Sequence, residues 1–354
     1  MPSTEGTALT IVSLVPLTAP EADRIRAIDP TLELIEAGGW FDGELARSWP
    51  EATARRYIHG QGQGTRAERD ALLARADVVI GGFPFPLDLR ARAPRMRWFH
   101  QSPAGVSNLR VGDLWASDVL VTSSRGFGET RAIAEYALAG MLYFAKGFDQ
   151  AARDARGGAF DHPRYSIGAM AEKTVCVIGA GGIGRQVAEL CHALGMRVTG
   201  TRRHTERDES DRPFERIEPP ERLHELLAES QFVAVCCQWT EQTTGLLDSQ
   251  AFACMRPGTI LVNVARGEIV DESALLVALE NGTLGGAVLD VYVGEFEHTP
   301  PAALWSHPKV LVTPHTSAMS DRRRRRFVDC FCENLRAWLR NEPMINTVDW
   351  HQGY

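Results

Sequence analysis

The sequence predicts an α/β protein made of two doubly wound parallel-sheet domains, one inserted into the other. Three observations carry this. Short β-rich runs alternate with helical patterns from one end of the chain to the other, which argues for parallel sheets covered by helices. The length of 354 residues suits about two domains of roughly 150 residues. A glycine-rich strand–turn–helix junction lies in mid-chain, so the domain that carries it interrupts another.

Composition narrows the function classes. Hydrophobic residues make up 44% of the chain and charged residues 23%, as in an ordinary globular protein. The net charge of −7 gives no general attraction to nucleic acid or to an anionic membrane surface. No apolar run approaches the roughly 20 residues that span a bilayer. The seven cysteines, at 176, 191, 236, 237, 254, 330 and 332, form neither a Cys-x-x-Cys pair nor a Cys/His zinc spacing, so no metal is expected. Several sit in apolar runs, where a reduced thiol acts as a small hydrophobe, and a reducing cytoplasm is the expected setting. The apolar stretch 8–17 follows Glu5 and precedes a charged helical pattern. It is expected to be a buried strand rather than a signal-peptide core.

In the first third, strands are expected at 9–14, 32–35, 77–80, 97–100 and 119–122. The aromatic residues here (Trp40, Phe83, Phe85, Trp98 and Phe99) are expected in the core. One long helix is expected from Thr130 to about Arg156, on apolar residues at helical spacing through Ala134, Leu138, Met141 and Leu142. A Gly/Pro/aromatic stretch at 157–163 breaks it. A second strand series follows at 174–178, 197–200, 232–236, 259–262, 286–289 and 310–313, and an amphipathic helix from Asp321 to about Arg340 closes the order.

The strand Val175-Cys176-Val177-Ile178 runs into Gly179-Ala180-Gly181-Gly182-Ile183-Gly184 and then a helix. A bare G-x-G-x-x-G is a weak signal, but one that ends a strand and opens a helix is informative. Gly179 permits the tight turn, Gly181 lets backbone approach a pyrophosphate, and Gly184 lets the helix pack on its strand. Gly182 and Ile183 open the helix, whose free N–H groups and partial positive charge suit the anion. The next strand ends in Thr201-Arg202-Arg203-His204-Thr205. A site that prefers NAD places a carboxylate there for the ribose hydroxyl. An arginine instead pairs with a 2′-phosphate and stacks on adenine, so NADP is expected over NAD, with Thr201, Arg202 and Arg203 at the adenosine end.

Three further segments end strands on the same sheet edge, where open parallel sheets bind ligands. They are Asn263-Val264-Ala265-Arg266-Gly267, Leu289-Asp290-Val291-Tyr292-Val293-Gly294-Glu295 and Thr313-Pro314-His315. An arginine fork suits a substrate carboxylate. A histidine beside a glutamate is a tuned proton donor and acceptor, because the carboxylate favours the imidazolium and fixes its tautomer.

With the fingerprint, these segments and Thr240-Glu241-Gln242-Thr243, the chain resembles the D-isomer-specific 2-hydroxyacid dehydrogenases. That family includes glyoxylate/hydroxypyruvate reductases and phosphoglycerate dehydrogenase. The resemblance covers nearly the whole chain and is strongest from Lys173 to His315. It implies a Rossmann cofactor domain at 125–317 inserted in a flavodoxin-like substrate domain at 1–124 and 318–354. It implies reversible hydride transfer between the nicotinamide and C2 of a 2-oxoacid. His315 would be the proton donor, Glu295 the residue that tunes it, and Arg266 the group that binds the carboxylate and polarises the ketone. Cofactor contacts are implied at Cys237, Thr243, Val264 and Asp290, the last near the nicotinamide carboxamide. Ser102-Pro103-Ala104-Gly105-Val106 resembles the loop whose amides receive the substrate carboxylate, which adds Ala104, Gly105 and Val106 to the substrate-binding residues Arg266 and His315. A homodimer is also implied, with contacts from the helix at Thr130 and the arm after Gly157, as is domain closure with hinges near 123–128 and 316–320.

Some positions depart from the family pattern. Gln238-Trp239 replaces the usual Pro-Leu, Phe296 replaces the proline after the glutamate, Ser107 replaces a common Asp, and Ser317 stands where Gly or Ala is frequent. None touches Arg266, Glu295 or His315. The expected activity is NADPH-dependent reduction of a 2-oxoacid of the glyoxylate or hydroxypyruvate type. Glu295 argues against a formate-type dehydrogenase, which carries glutamine there. A phosphite-type dehydrogenase keeps the trio and a nucleotide-sensing regulatory scaffold keeps the fold, so both stay open. The charge run Asp321-Arg322-Arg323-Arg324-Arg325-Arg326 is expected to be a solvated helix start rather than a nucleic-acid patch.

Overall fold

A computed structural model of the chain describes residues 8–206, 211–320 and 326–353. They form two compact units, the smaller drawn from Met1–Gly128, Phe296–His298 and Arg324–Tyr354, the larger from Glu129–Glu295 and Thr299–Arg323. The smaller unit contains strands β1 (Thr10–Ser13), β2 (Glu33–Glu36), β3 (Val78–Gly81), β4 (Trp98–Gln101) and β5 (Leu120–Ser123). They pair in parallel in the order β2-β1-β3-β4-β5, the flavodoxin-like arrangement. Both sheet faces are covered, which is why most of these strands read as apolar runs. Val12, Val79, Phe99 and Val121 pack on one side with Leu45, Leu73 and Leu109. Ile11, Val78, Ile80 and Trp98 pack on the other with Phe327, Phe331 and Leu335 of the C-terminal helix Phe327–Leu339. Phe85, Trp98 and Phe99 are fully buried, while Trp40 and Phe83 pack against the core from its margin.

The larger unit holds β6 (Thr174–Ile178), β7 (Arg197–Thr201), β8 (Arg216–Glu218), β9 (Phe232–Val235), β10 (Thr259–Asn263), β11 (Leu284–Leu289) and β12 (Val310–Val312). These too are parallel, in the order β12-β11-β10-β9-β6-β7-β8. The direction of winding reverses between β6 and β9, the switch point of a Rossmann sheet. Cys176, Ile178, Val233, Val235 and Leu261 face one core. Val175, Val177, Ala234, Val262 and Val288 face the other.

The single helix expected over 130–156 is two helices, Thr130–Ala145 and Phe148–Gly157. Gly147 separates them with φ of +66°, a left-handed conformation that ends a helix and that glycine takes without a Cβ penalty. The first helix lies close on β11 because Gly140 has no side chain; a Cβ there would meet Val288 at 2.9 Å. Strand β8 was not among the expected strands. Of the closing helix, Asp321 to Arg325 lie outside the described residues, so the charge run there carries no structural account. All seven cysteines are free, and burial pushes Cys176 and Cys191 up to about 12. Among the described residues no helix is long and apolar enough to cross a membrane.

Candidate active site

The cofactor end of the larger unit begins at the turn after β6. Gly179 has φ of +97°, and a Cβ on it would come within 2.6 Å of the Cys237 Cα. A Cβ on Gly184 would fall 2.2 Å from the Gly179 carbonyl oxygen, whereas one on Gly181 would meet nothing within 4 Å. Two glycines are therefore demanded by packing and the third opens onto free space. The first intrahelical bond of the helix Gly182–Ala193 runs from the Arg185 N–H to the Gly181 carbonyl at 2.8 Å, which leaves the amides of Gly182, Ile183 and Gly184 at the helix mouth. These residues fit a dinucleotide pyrophosphate.

Thr201, at the end of β7, is buried, and its carbonyl accepts from the amides of Gly179 and Ala180 at 3.1 and 2.8 Å. Arg202 follows, and its surroundings include a residue the sequence pattern did not reveal. Asp211, 0% exposed, accepts from Nη1 and Nη2 of Arg202 at 3.1 and 2.8 Å and from Nε of Arg185 at 2.9 Å. Arg202 also donates from Nε to the His204 carbonyl at 2.6 Å and from Nη1 to the Ala180 carbonyl at 3.4 Å. A bond from Nη2 to the Glu206 carbonyl completes its set. The bidentate carboxylate-style pairing expected of Arg202 toward a phosphate is thus made to Asp211 here, and the guanidinium braces the phosphate loop. Arg203 is exposed and donates from Nη2 to Gln242 Oε1 at 2.8 Å, joining the ends of β7 and β9. Thr243 Oγ1 accepts from the Thr240 amide and donates to the Gln238 carbonyl, both at 2.8 Å, which folds the segment after Cys237 into a compact wall.

Beyond β10 the chain presents Arg266. Asn263, at the strand end and 1% exposed, accepts from the Ala265 amide at 3.0 Å and donates to the Arg266 carbonyl at 2.8 Å. That clamp fixes the Arg266 backbone, while Val264 holds to β9 through its amide, 3.3 Å from the Val235 carbonyl. Gly267 must be glycine: a Cβ would sit 2.1 Å from the Tyr292 carbonyl carbon. Arg266 Nη1 donates to the Ala265 carbonyl at 2.7 Å. Close by, burial raises the Glu268 carboxyl above the usual carboxylate range, with Glu295 adding and Arg266 opposing. Arg266 and Glu295 therefore share one neighbourhood.

Glu295, 3% exposed, ends the loop after β11, where Glu272 Oε1 accepts from the Val293 amide at 2.8 Å. Nδ1 of His315 lies 3.0 Å from each Glu295 carboxylate oxygen. Two strand-end loops thus bring together the pair that the sequence suggested. Asp290, 1% exposed, spends its carboxylate on the loop after β12: Oδ1 accepts from the Thr313 hydroxyl at 2.6 Å and the Thr316 amide at 2.8 Å, and Oδ2 from the Ser317 amide at 2.8 Å. In the smaller unit, Ala104, Gly105 and Val106 follow β4, and among the described residues their amides donate to no backbone acceptor. Gln101 Nε2 donates to Asn108 Oδ1 at 2.9 Å and to the Gly105 carbonyl at 3.4 Å, which supports that loop from below.

Sequence patterns missed Asp211, Asn263 and Glu268. Asn263 carried the one usable signal, a polar residue closing an apolar strand. Among the described residues no cluster of side chains suited to a metal ion occurs.

A family model described as D-isomer specific 2-hydroxyacid dehydrogenase, NAD binding domain, matches residues 138–317. The (S)-sulfolactate dehydrogenase of Chromohalobacter salexigens is 31% identical over 252 residues, covering 71% of this chain and 80% of its own. The glyoxylate reductase of Korarchaeum cryptofilum is 31% identical over 281 residues, covering 77% of this chain and 82% of its own. Among solved structures, a D-isomer specific 2-hydroxyacid dehydrogenase from Xanthobacter autotrophicus Py2, in complex with NADPH and MES, aligns with a TM-score of 0.75. It is 26% identical and covers 99% of this chain and 100% of its own.

Proposed function

The chain belongs to the D-isomer-specific 2-hydroxyacid dehydrogenase family, and from that premise we propose that this oxidoreductase is an NADPH-dependent reductase of small 2-oxoacids, of the glyoxylate or hydroxypyruvate type. The observation that carries the proposal is the buried Glu295 carboxylate set symmetrically on Nδ1 of His315. A bound reduced nicotinamide supplies the hydride to C2. The Nδ1–H donates to Glu295, which fixes the tautomer and leaves Nε2 to protonate the alkoxide oxygen. The Glu295 charge offsets that of the imidazolium until the proton leaves, and in the reverse direction Nε2 takes the proton back. Arg266 holds the substrate carboxylate and stabilises the negative charge that gathers on the carbonyl oxygen. In the smaller unit, the amides of Ala104, Gly105 and Val106, which donate to no backbone acceptor among the described residues, are the proposed carboxylate donors.

The preference for NADP rests on charge at the end of β7. Asp211, the carboxylate the fold brings there, is engaged by both Arg185 and Arg202, so it is compensated, and Arg203 adds a further positive charge. Purified protein assayed with NADPH and NADH against a panel of 2-oxoacids is expected to favour NADPH in kcat/KM by about tenfold or more, the value of one charge-assisted contact. A preference for NADH overturns the cofactor assignment. No turnover of any 2-oxoacid, or turnover of phosphite instead, overturns the reaction.

The proposal includes a homodimer formed by the helix Thr130–Ala145 and the arm after Gly157, where Phe160 and Ile167 stand exposed, as does Phe148 on the helix between them. Light scattering is expected to give twice the chain mass, and a monomer overturns this part. Seven free thiols, four of them buried, suit a reducing compartment such as the cytoplasm.

A further inference from the structure

Tyr136 lies on the helix Thr130–Ala145, and no step of the proposed reaction uses it. Its hydroxyl is hydrogen-bonded to Oγ1 of Thr313. The Thr313 hydroxyl points its own hydrogen at Asp290 Oδ1, 2.6 Å away, so it accepts from the phenol and the relay runs one way, Tyr136 to Thr313 to Asp290. Burial, with the Asp290 carboxylate adding to it, pushes the phenol up to about 12, so Tyr136 remains a donor. On the far side of the turn, Asp290 takes the Thr316 and Ser317 amides, both at 2.8 Å. Between these anchors His315 has φ of +56°. A residue with a Cβ holds that conformation only where its surroundings over-determine it.

We propose that Tyr136 is a positioning residue for His315, acting through Thr313 and Asp290 to hold the 313–317 turn in the conformation that places Nδ1 on Glu295. The inference rests on His315 being the proton donor. With the phenol hydroxyl gone, the Thr313 oxygen loses the donor the phenol supplies, and its bond to Asp290 is left without the polarisation that a chain of hydrogen bonds gives. The turn then relaxes toward ordinary backbone angles, and the imidazole leaves its symmetric seat on the carboxylate.

Tyr136→Phe keeps the ring and removes only the hydroxyl. It is expected to lower kcat for 2-oxoacid reduction by about 5- to 10-fold, the scale of one hydrogen bond, with KM for NADPH moved less than kcat because the phosphate loop lies on other strands. In cofactor-free protein, the downfield proton resonance of His315 Nδ1–H should lose its protection from exchange. Thr313→Val should reproduce both effects and Thr313→Ser should restore both. The double variant Tyr136→Phe/Thr313→Val should be no worse than Thr313→Val, because the two act as one relay. An unchanged kcat and resonance in Tyr136→Phe, or losses that multiply in the double variant, overturn the proposal. Should Tyr136→Phe not fold, Thr313→Val and Thr313→Ser decide, and equal behaviour of the two overturns it. Should the wild type reduce no 2-oxoacid, the proposed reaction fails, while the His315 resonance, recorded without cofactor or substrate, still decides the relay.

Discussion

Replacing His315 with alanine is expected to lower kcat for 2-oxoacid reduction by roughly 10²- to 10⁴-fold, the range in which a positioned proton donor contributes. Water would have to supply the proton. Glu295 cannot replace the ring, because it is 3% exposed and both its oxygens lie 3.0 Å from the imidazole Nδ1. The same substitution strands a buried carboxylate, which costs stability in its own right. His315→Gln separates the two effects: it leaves a donor beside Glu295 but no transferable proton. Both variants should bind NADPH with nearly wild-type affinity by fluorescence titration, and both should lose turnover. Full kcat in either one removes His315 from the reaction.

Arg266→Lys is expected to cost about 10²- to 10³-fold in kcat/KM for the oxoacid, the value of a charge-stabilising donor in a closed site. Lysine keeps the charge and loses the planar fork that grips a carboxylate through two parallel bonds. The backbone at this position is held independently of the side chain, by Asn263 on its carbonyl and by the close approach of Gly267 to Tyr292. The substitution therefore tests the guanidinium alone. Steady-state kinetics should show KM for NADPH unaffected while the oxoacid parameters collapse, and a lysine variant with near wild-type kcat/KM sinks the assignment.

The strands that build both cores are legible from sequence because each is covered on two faces. Val175-Cys176-Val177-Ile178, for example, sends alternate residues into two different cores, so no polar position breaks the run. Strand β8 (Arg216–Glu218) has only three residues, two of them charged, at a sheet edge, and it carries no such pattern. The break at Gly147 hid inside a helical periodicity that persists on both sides of it. The Glu295–His315 pair was legible because each member sits in a short motif closing a strand. Tyr136 and Asp211 were not, for a different reason. Tyr136 meets Thr313 across 177 residues of sequence, and Asp211 meets Arg202 across nine, a separation that matches no motif spacing. The first contact exists because the helix that carries Tyr136 packs on the larger sheet, and the second because the chain returns to the end of β7 within nine residues.

The strand order of the larger sheet also bears on how such an enzyme can diversify. Counting outward from β6, the glycine turn and the arginines proposed to meet adenosine occupy the β6–β7 flank, and Arg266, Glu295 and His315 follow β10, β11 and β12 on the opposite flank. Substitutions on the two flanks are separated by the switch point and share no partner named above, the condition under which energetic effects are expected to add. A lineage can therefore exchange one dinucleotide for another by altering a contiguous stretch near residue 200 and leave its proton chemistry untouched.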